Sequence, residues 1–312
     1  MLRDNWQQGR MVCVGLDPDW EQIPESVKSL KGRRRTYYDA LIAFNREIIE
    51  HTYGIAGTYK PQSSKYERFG SEGIEALRWT RHYLKETAPD VPVILDAKRG
   101  DIDRTNQDYV AGIYDLFGFD AVTLHHYLGG MHSLQPFLER AEKGAIILCR
   151  TSNKDAGEFQ DRRLLLSEEE LDDLLNGPSG SCIDIEALKK AFQVGPTSFF
   201  AMKLFEFVAL RVANHWNSNN NCYLVVGATY PKEAEIIRRL VGDRIDFLVP
   251  GIGAQGGGVE LAVRACRNSL GEGLIVNSSS GIIHASTGSN FATVARLKAL
   301  ILNEQINEYR AA

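Results

Sequence analysis

The sequence predicts a closed (β/α)8 TIM barrel carrying a helical insertion after its fifth strand. Three observations predict it. Short β-branched apolar runs alternate with helical segments along the whole chain, eight such units can be counted, and polar residues recur where the apolar runs end. Strands alternating with helices imply parallel pairing through right-handed crossovers, and near-continuous apolar strands fit a sheet covered by helices. A doubly wound open sheet shares this rhythm; the count of eight favours closure. The 312 residues are read as one barrel domain, 1–312.

In order, the strand candidates are 11–17 (MVCVGLD), 57–62 (GTYKPQ), 91–98 (VPVILDAK), 121–126 (AVTLHH), 145–151 (AIILCRT), 223–229 (YLVVGAT), 246–253 (DFLVPGIG) and 273–280 (GLIVNSSS). Helical spacing fills 34–52, 71–88, 103–117, 131–142, 231–241, 257–269 and 290–309. About 70 residues separate the fifth and sixth strands, far beyond an ordinary loop. The excess, approximately 153–200, is read as an insertion. Within it Ser167 and Glu170 form a capping-box pattern, NGPSGS at 176–181 breaks the chain, and a second helix is expected over 199–217.

Composition narrows the partners. The formal net charge is −4, which gives no general attraction to nucleic acid or anionic membrane, so an anion needs a local site. No stretch approaches the roughly 20 apolar residues of a membrane span. Cys13, Cys149, Cys182, Cys222 and Cys266 show no CxxC spacing, which argues against a zinc site or disulfide framework. Reduced thiols and an N-terminus without an apolar leader core point to a cytoplasmic protein. No metal is expected.

Chemistry in such a barrel gathers at the C-terminal strand ends. Asp17, Lys60, Asp96, Lys98, Arg150, Thr151, Ser152, GIGAQGGG and NSSSG all fall there. DAKRGDIDRT at 96–105 is the densest cluster. Asp96 and Lys98 stand two apart on a strand and face the same side, while Ala97 faces the helices. A turn at Gly100 carries Asp101 past the strand end, so three charges of alternating sign converge. A surface ion-pair string has the same appearance. Asp103 is expected to cap the next helix, with Arg99 and Arg104 on the surface. Lys60 needs a carboxylate if it points inward, and Asp96 or Asp101 can supply one. PGIGAQGGG reads as a backbone anion cradle leading into a helix N-terminus, with Gln255 as an amide donor. His125 and His126 face opposite sides of a regular strand and do not share a metal.

GLDPD at 15–19, KPQSSKYERFG at 60–70, DxKxxDI at 96–102, VGATYP at 226–231 and PGIGAQGGG at 250–258 occur in this order. Together they resemble orotidine 5′-phosphate decarboxylase, in its longer subgroup. The resemblance implies a cofactor-independent homodimer that converts orotidine monophosphate to uridine monophosphate and carbon dioxide. It implies Lys98 as proton donor to C6, Asp96 beside the departing carboxylate, and Lys60 and Asp17 at the ribose. Asp101 and Thr105 would reach the ribose from the partner subunit. Ser152, with Thr151 beside it, would read the pyrimidine. Gln255 would bridge phosphate and base, with backbone groups near Gly253, Gly256 and Gly281 on the phosphate. One position departs from the pattern: Ser280 stands where the resemblance expects a phosphate-binding arginine. Two alternatives follow, a magnesium-dependent sugar-phosphate decarboxylase sharing DxKxxD and a catalytically impaired nucleotide-binding barrel.

Overall fold

The computed structural model describes residues 1–30, 32–179, 185–252 and 258–311. The barrel strands are β1 (Val12–Leu16), β2 (Ala56–Pro61), β3 (Ile94–Arg99), β4 (Ala121–Leu124), β5 (Gly144–Arg150), β6 (Cys222–Val226), β7 (Asp246–Val249) and β8 (Leu274–Ser278). They form one 8-stranded parallel sheet in the order β2-β1-β8-β7-β6-β5-β4-β3. Parallel bridges Tyr59–Val93 and Gln62–Asp96 join β2 to β3, with Ser63 N–H donating to the Asp96 carbonyl at 3.1 Å. The sheet therefore returns on itself, as the count of units predicts.

A helix follows each strand: α1 (Tyr37–Thr52), α2 (Gly70–Thr87), α3 (Asp103–Val110), α4 (Met131–Leu138), α5 (Leu204–Arg211), α6 (Pro231–Val241), α7 (Val259–Cys266) and α8 (Phe291–Ala311). Local sequence explains their bounds. Thr36 caps α1 by accepting the Asp39 N–H, and Ala40, Leu41, Phe44, Ile48 and Ile49 form its buried stripe. Pro231 opens α6 at a position where no N–H is needed. β1 and β8 are buried on both faces because side chains alternate between the barrel interior and the helical layer.

Two expectations fail locally. Asp103 does not cap α3: Ile102 holds the cap position without a side-chain bond, and Asp103 is the first helical residue. An acidic side chain in the first turn still meets the positive helix end favourably. The helix expected over 199–217 starts late. Phe199–Lys203 is a strand antiparallel to Arg163–Ser167, and α5 begins at Leu204 before a π-helical turn at Val212–Trp216. In FFAMK, Phe200 and Met202 are buried while Phe199 is exposed, a period of two rather than 3.6. The segment between β5 and β6 also contains helices Gly157–Gln160, Glu168–Leu175 and Ile185–Phe192. Ser167 and Glu170 close their capping box reciprocally, as their spacing predicts.

Candidate active site

A cleft of about 510 Å³ opens at the C-terminal ends of the barrel strands, a size suited to a small-molecule ligand. Its charged wall comes from β1, β2 and β3. Lys60 Nζ donates to Asp96 Oδ2 at 3.0 Å, and Lys98 Nζ donates to Asp96 Oδ1 at 2.7 Å. One carboxylate thus bridges two ammonium groups. Lys60 is 3% exposed and Lys98 is 47% exposed, so one cation belongs to the barrel interior and the other reaches open space.

Electrostatics follow from that burial. For Lys60, desolvation alone would depress the pKa, but Asp17 and Asp96 overcome it and hold the ammonium above the ordinary lysine range. For Asp96, burial pushes the carboxyl up, and the charges and hydrogen bonds of Lys60 and Lys98 prevail, holding it well below the usual carboxylate range. Beneath the pair, burial pushes the Cys13 thiol up to about 12, so it remains a thiol near neutral pH.

Lys98 is not on a regular strand. Pairing of β3 with β4 shifts register between Leu95 and Arg99, and Lys98 sits at φ +47°. A bulge re-aims a side chain, and a non-glycine residue in this region is strained. Thr123 on β4 secures the arrangement. Its hydroxyl accepts from the Lys98 N–H at 3.0 Å and donates to Asp96 Oδ1 at 2.8 Å. Gly100 is required next, because a Cβ there would lie 2.2 Å from the His125 carbonyl oxygen. Asp17 also lines the cleft, where its Oδ1 accepts the Gln62 N–H at 3.0 Å.

The expected convergence of three charges is corrected. Asp96, Lys98 and Lys60 come together, whereas Asp101 turns onto its own loop and accepts the Ile102 N–H at 2.7 Å. Neither Asp101 nor Thr105 lines the cleft of its own chain among the described residues. The physical reason is the turn after Gly100: Asn106 binds the Asp101 backbone through both its N–H and carbonyl and directs the side chain away.

The opposite wall is neutral. Thr151, Ser152 and Asn153 follow β5, Pro250, Gly251 and Ile252 follow β7, and Asn277 to Ser280 end β8. Ser280 is exposed and starts the short helix Ser280–Ile283, and Gly281 follows it in that helix. Gly253, Gln255 and Gly256 lie outside the described residues. Among the described residues lining the cleft, Lys60 and Lys98 are the only cationic side chains. Arg150, one of the polar strand ends, is instead buried. It pairs with Asp161 at 3.0 Å and stacks on the Tyr230 ring at 3.7 Å. His125 and His126 lie past the end of β4 and outside the cleft. His126 packs near Trp216, and burial pushes its pKa down to about 4.

Sequence reasoning missed Thr123 and Gln160. Thr123 carried a usable signal as the hydroxyl within the apolar run AVTL. Gln160 carried none, since it lies in the insertion and reaches the cleft only through folding.

The family model described as "Orotidine 5'-phosphate decarboxylase / HUMPS family" matches residues 10–176. Orotidine 5′-phosphate decarboxylase of Cellvibrio japonicus is 40% identical over 312 residues, covering 99% of this chain and 98% of its own length. The enzyme of Azoarcus sp. is 40% identical over 311 residues, covering 99% and 98%. The solved structure of Leishmania donovani OMP decarboxylase superimposes with a TM-score of 0.73 at 30% identity, covering 100% of this chain and 98% of that one. Leishmania donovani UMP synthase gives 0.75 at 31% identity, covering 100% of this chain and 56% of that one.

Proposed function

The chain belongs to the orotidine 5′-phosphate decarboxylase family, and we propose on that premise how its cleft converts orotidine 5′-monophosphate to uridine 5′-monophosphate and carbon dioxide. The observation that carries the reading is the Lys60–Asp96–Lys98 array at the barrel mouth. Loss of carbon dioxide breaks the bond between C6 and the carboxylate and leaves the electron pair in the ring plane. No neighbouring π-system accepts it, and the reading assigns no cofactor as electron sink. The Lys98 ammonium stabilises the developing charge and then transfers a proton to C6, leaving a neutral amine that solvent reprotonates. Asp96 accepts from the Lys98 ammonium and lies beside the departing carboxylate. Lys60 holds Asp96 and, with Asp17, meets the ribose.

The other contacts are assigned in the same way. Thr151 and Ser152 face the pyrimidine. Gln255 spans base and phosphate, and backbone N–H groups of the 250–258 segment and Gly281 meet the phosphate beside Ser280. Asp101 and Thr105, which do not line their own cleft, complete the ribose site of the partner subunit in a homodimer. The compartment assigned is the cytoplasm.

Release of carbon dioxide from orotidine monophosphate in the presence of a chelator tests the reaction. Sustained turnover is expected, and dependence on added magnesium would overturn the metal-free mechanism. Mixing inactive Asp101→Ala and Lys98→Ala homodimers tests the assembly. Random exchange places both intact residues in about a quarter of the sites, so about a quarter of wild-type activity should return. No recovery despite demonstrated exchange would place each site within one chain.

A further inference from the structure

Two charged residues of the sequence motifs take no part in the reaction as assigned: Arg99 of DAKRGD and Glu67 of KYERFG. They meet in the fold. Arg99 Nη2 donates to Glu67 Oε1 at 2.8 Å, and Nη1 donates to the Ala97 carbonyl at 3.0 Å. The guanidinium also lies over the Tyr109 ring, 5.3 Å from its centroid. One side chain thus joins β3 to α3 and to the short helix Ser64–Glu67 that follows β2. Neither Arg99 nor Glu67 lines the cleft among the described residues.

The join falls on the bulge that carries Lys98. β3 takes four steps from Leu95 to Arg99 where β4 takes two from Val122 to Leu124. Asp96, Ala97 and Lys98 therefore leave the ladder to β4, and their backbone groups need other partners. Ser63 N–H serves the Asp96 carbonyl, the Thr123 hydroxyl serves the Lys98 N–H, and Arg99 serves the Ala97 carbonyl. The ladder resumes where the Arg99 carbonyl accepts the His125 N–H at 2.8 Å. Lys98 sits between these bonds at φ +47°. A strained residue keeps such a conformation only where its surroundings over-determine it. Thr123 holds the bulge from the barrel side, and Arg99 holds it from the helix side. A guanidinium suits that place because its planar fork donates in two fixed directions at once, to a carbonyl and to a carboxylate.

We propose that Arg99, anchored by Glu67, is a positioning residue for catalysis: it closes the β3 bulge from outside the barrel and so aims the Lys98 ammonium at the reacting carbon. This rests on the decarboxylase reading, in which Lys98 is the proton donor, and adds to it a pair that touches no ligand. A bulge released on the helix side lets the ammonium drift, and a small misplacement of a reacting group is costly in rate.

The test measures kcat and KM for orotidine monophosphate in wild type, Arg99→Met, Glu67→Ala and the double variant. Titration with uridine monophosphate gives the number of intact sites per chain and their Kd. Met keeps an apolar stem beside Tyr109 and removes both hydrogen bonds, and kcat should fall about 10-fold. Glu67→Ala removes only the anchor, and kcat should fall about 3-fold, the measure of one partly exposed ion pair. KM, Kd and the number of sites should stay within about twofold of wild type, because uniform binding is untouched. The double variant should be no slower than Arg99→Met, since Glu67 acts through Arg99. If Arg99→Met does not fold, Glu67→Ala carries the test alone, its side chain being exposed. A kcat that falls only in proportion to lost binding sites would show a merely structural role. Unchanged kcat in folded variants, or losses that multiply in the double variant, would equally overturn the proposal. Absence of wild-type turnover would instead overturn the decarboxylase reading, so the two failures are distinguishable.

Discussion

The β2–β3 end of the cleft is crowded with charge, whereas the β7–β8 end is neutral. At the first, a buried ammonium, a largely buried carboxylate and a half-exposed ammonium share hydrogen bonds within 3.0 Å. At the second, hydroxyls, an amide and backbone groups line the wall. An ammonium moved out of water is tolerated only with close counter-charges, so the first end is rigid by electrostatic necessity. The neutral end relies on fixed dipoles, which a glycine-rich turn can aim without burying an ion. On the proposed reading the reaction belongs to one end and ligand anchoring to the other, and five substitutions probe that division.

The largest effect belongs to Lys98→Ala. It removes both the charge opposite the developing carbanion and the proton source, and turnover should fall by at least about 10⁴-fold. Folding should survive, because the side chain is half exposed and leaves Asp96 paired with Lys60. Carbon dioxide release and circular dichroism check both halves. Near-normal turnover in a folded variant would move the chemistry away from the charged end.

Lys60 should act on stability as well as rate. Lys60→Ala removes the buried cation and leaves the largely buried Asp96 with Lys98 as its one ion-pair partner, and breaking a buried pair costs about 3–5 kcal/mol. The pH dependence has a definite sign. The folded pKa of Asp96 is depressed, so the unfolded chain binds more protons on the acid side and stability rises with pH up to the ordinary carboxylate pKa. That contribution is complete above the unfolded pKa, about 4, and is lost as pH falls through the folded value. Without Lys60 the depression shrinks and the acid slope should flatten. Denaturant melts from pH 3 upward, about the lowest value at which the slope is readable, measure this. An unchanged slope would show that Lys98 alone sets the Asp96 carboxyl.

Much of this comparison was legible in the sequence, for reasons that differ by residue. The eight strands could be read because a strand buried on both faces leaves a continuous apolar run. Asp96, Lys98 and Lys60 could be read because strand-end charges need partners. The inserted strand Phe199–Lys203 was not legible, since its partner Arg163–Ser167 lies outside any local window and FFAMK sits against a helical stretch. The convergence of Asp101 with Asp96 and Lys98 of its own chain was misread because spacing along a strand says nothing of a side chain after a turn. Gln160 was invisible because it lies in the insertion and meets the cleft only through folding.

The neutral end is tested by Ser280→Arg. Ser280 lines the cleft at the start of a helix, and a guanidinium there supplies charge-assisted bonds to a phosphate that serine cannot match. One such bond is worth roughly 1.5–3 kcal/mol, so kcat/KM for orotidine monophosphate should rise by at least about 10-fold. Orotidine without phosphate should gain little. Equal gains on both substrates would mean that position 280 acts through stability or closure rather than through the anion.

Thr123→Val gives a smaller but more discriminating effect. The hydroxyl donates to Asp96 and accepts the N–H of strained Lys98, so it belongs to the charged end although it bears no charge. Valine keeps the volume of this buried side chain and removes both bonds. A hydrogen bond to a charged group is worth roughly 1.5–3 kcal/mol when fully lost. Lys60 and Lys98 still hold the Asp96 carboxylate, so only part of that should appear, a fall in kcat of about 3- to 10-fold with KM nearly unchanged. Ser279→Ala at the neutral end, where one long bond of 3.4 Å from Asn277 is at stake, should stay within about twofold in kcat. If the serine variant lost kcat as strongly as the valine variant, the two ends would share the chemistry, and the division between a reacting end and an anchoring end would fail.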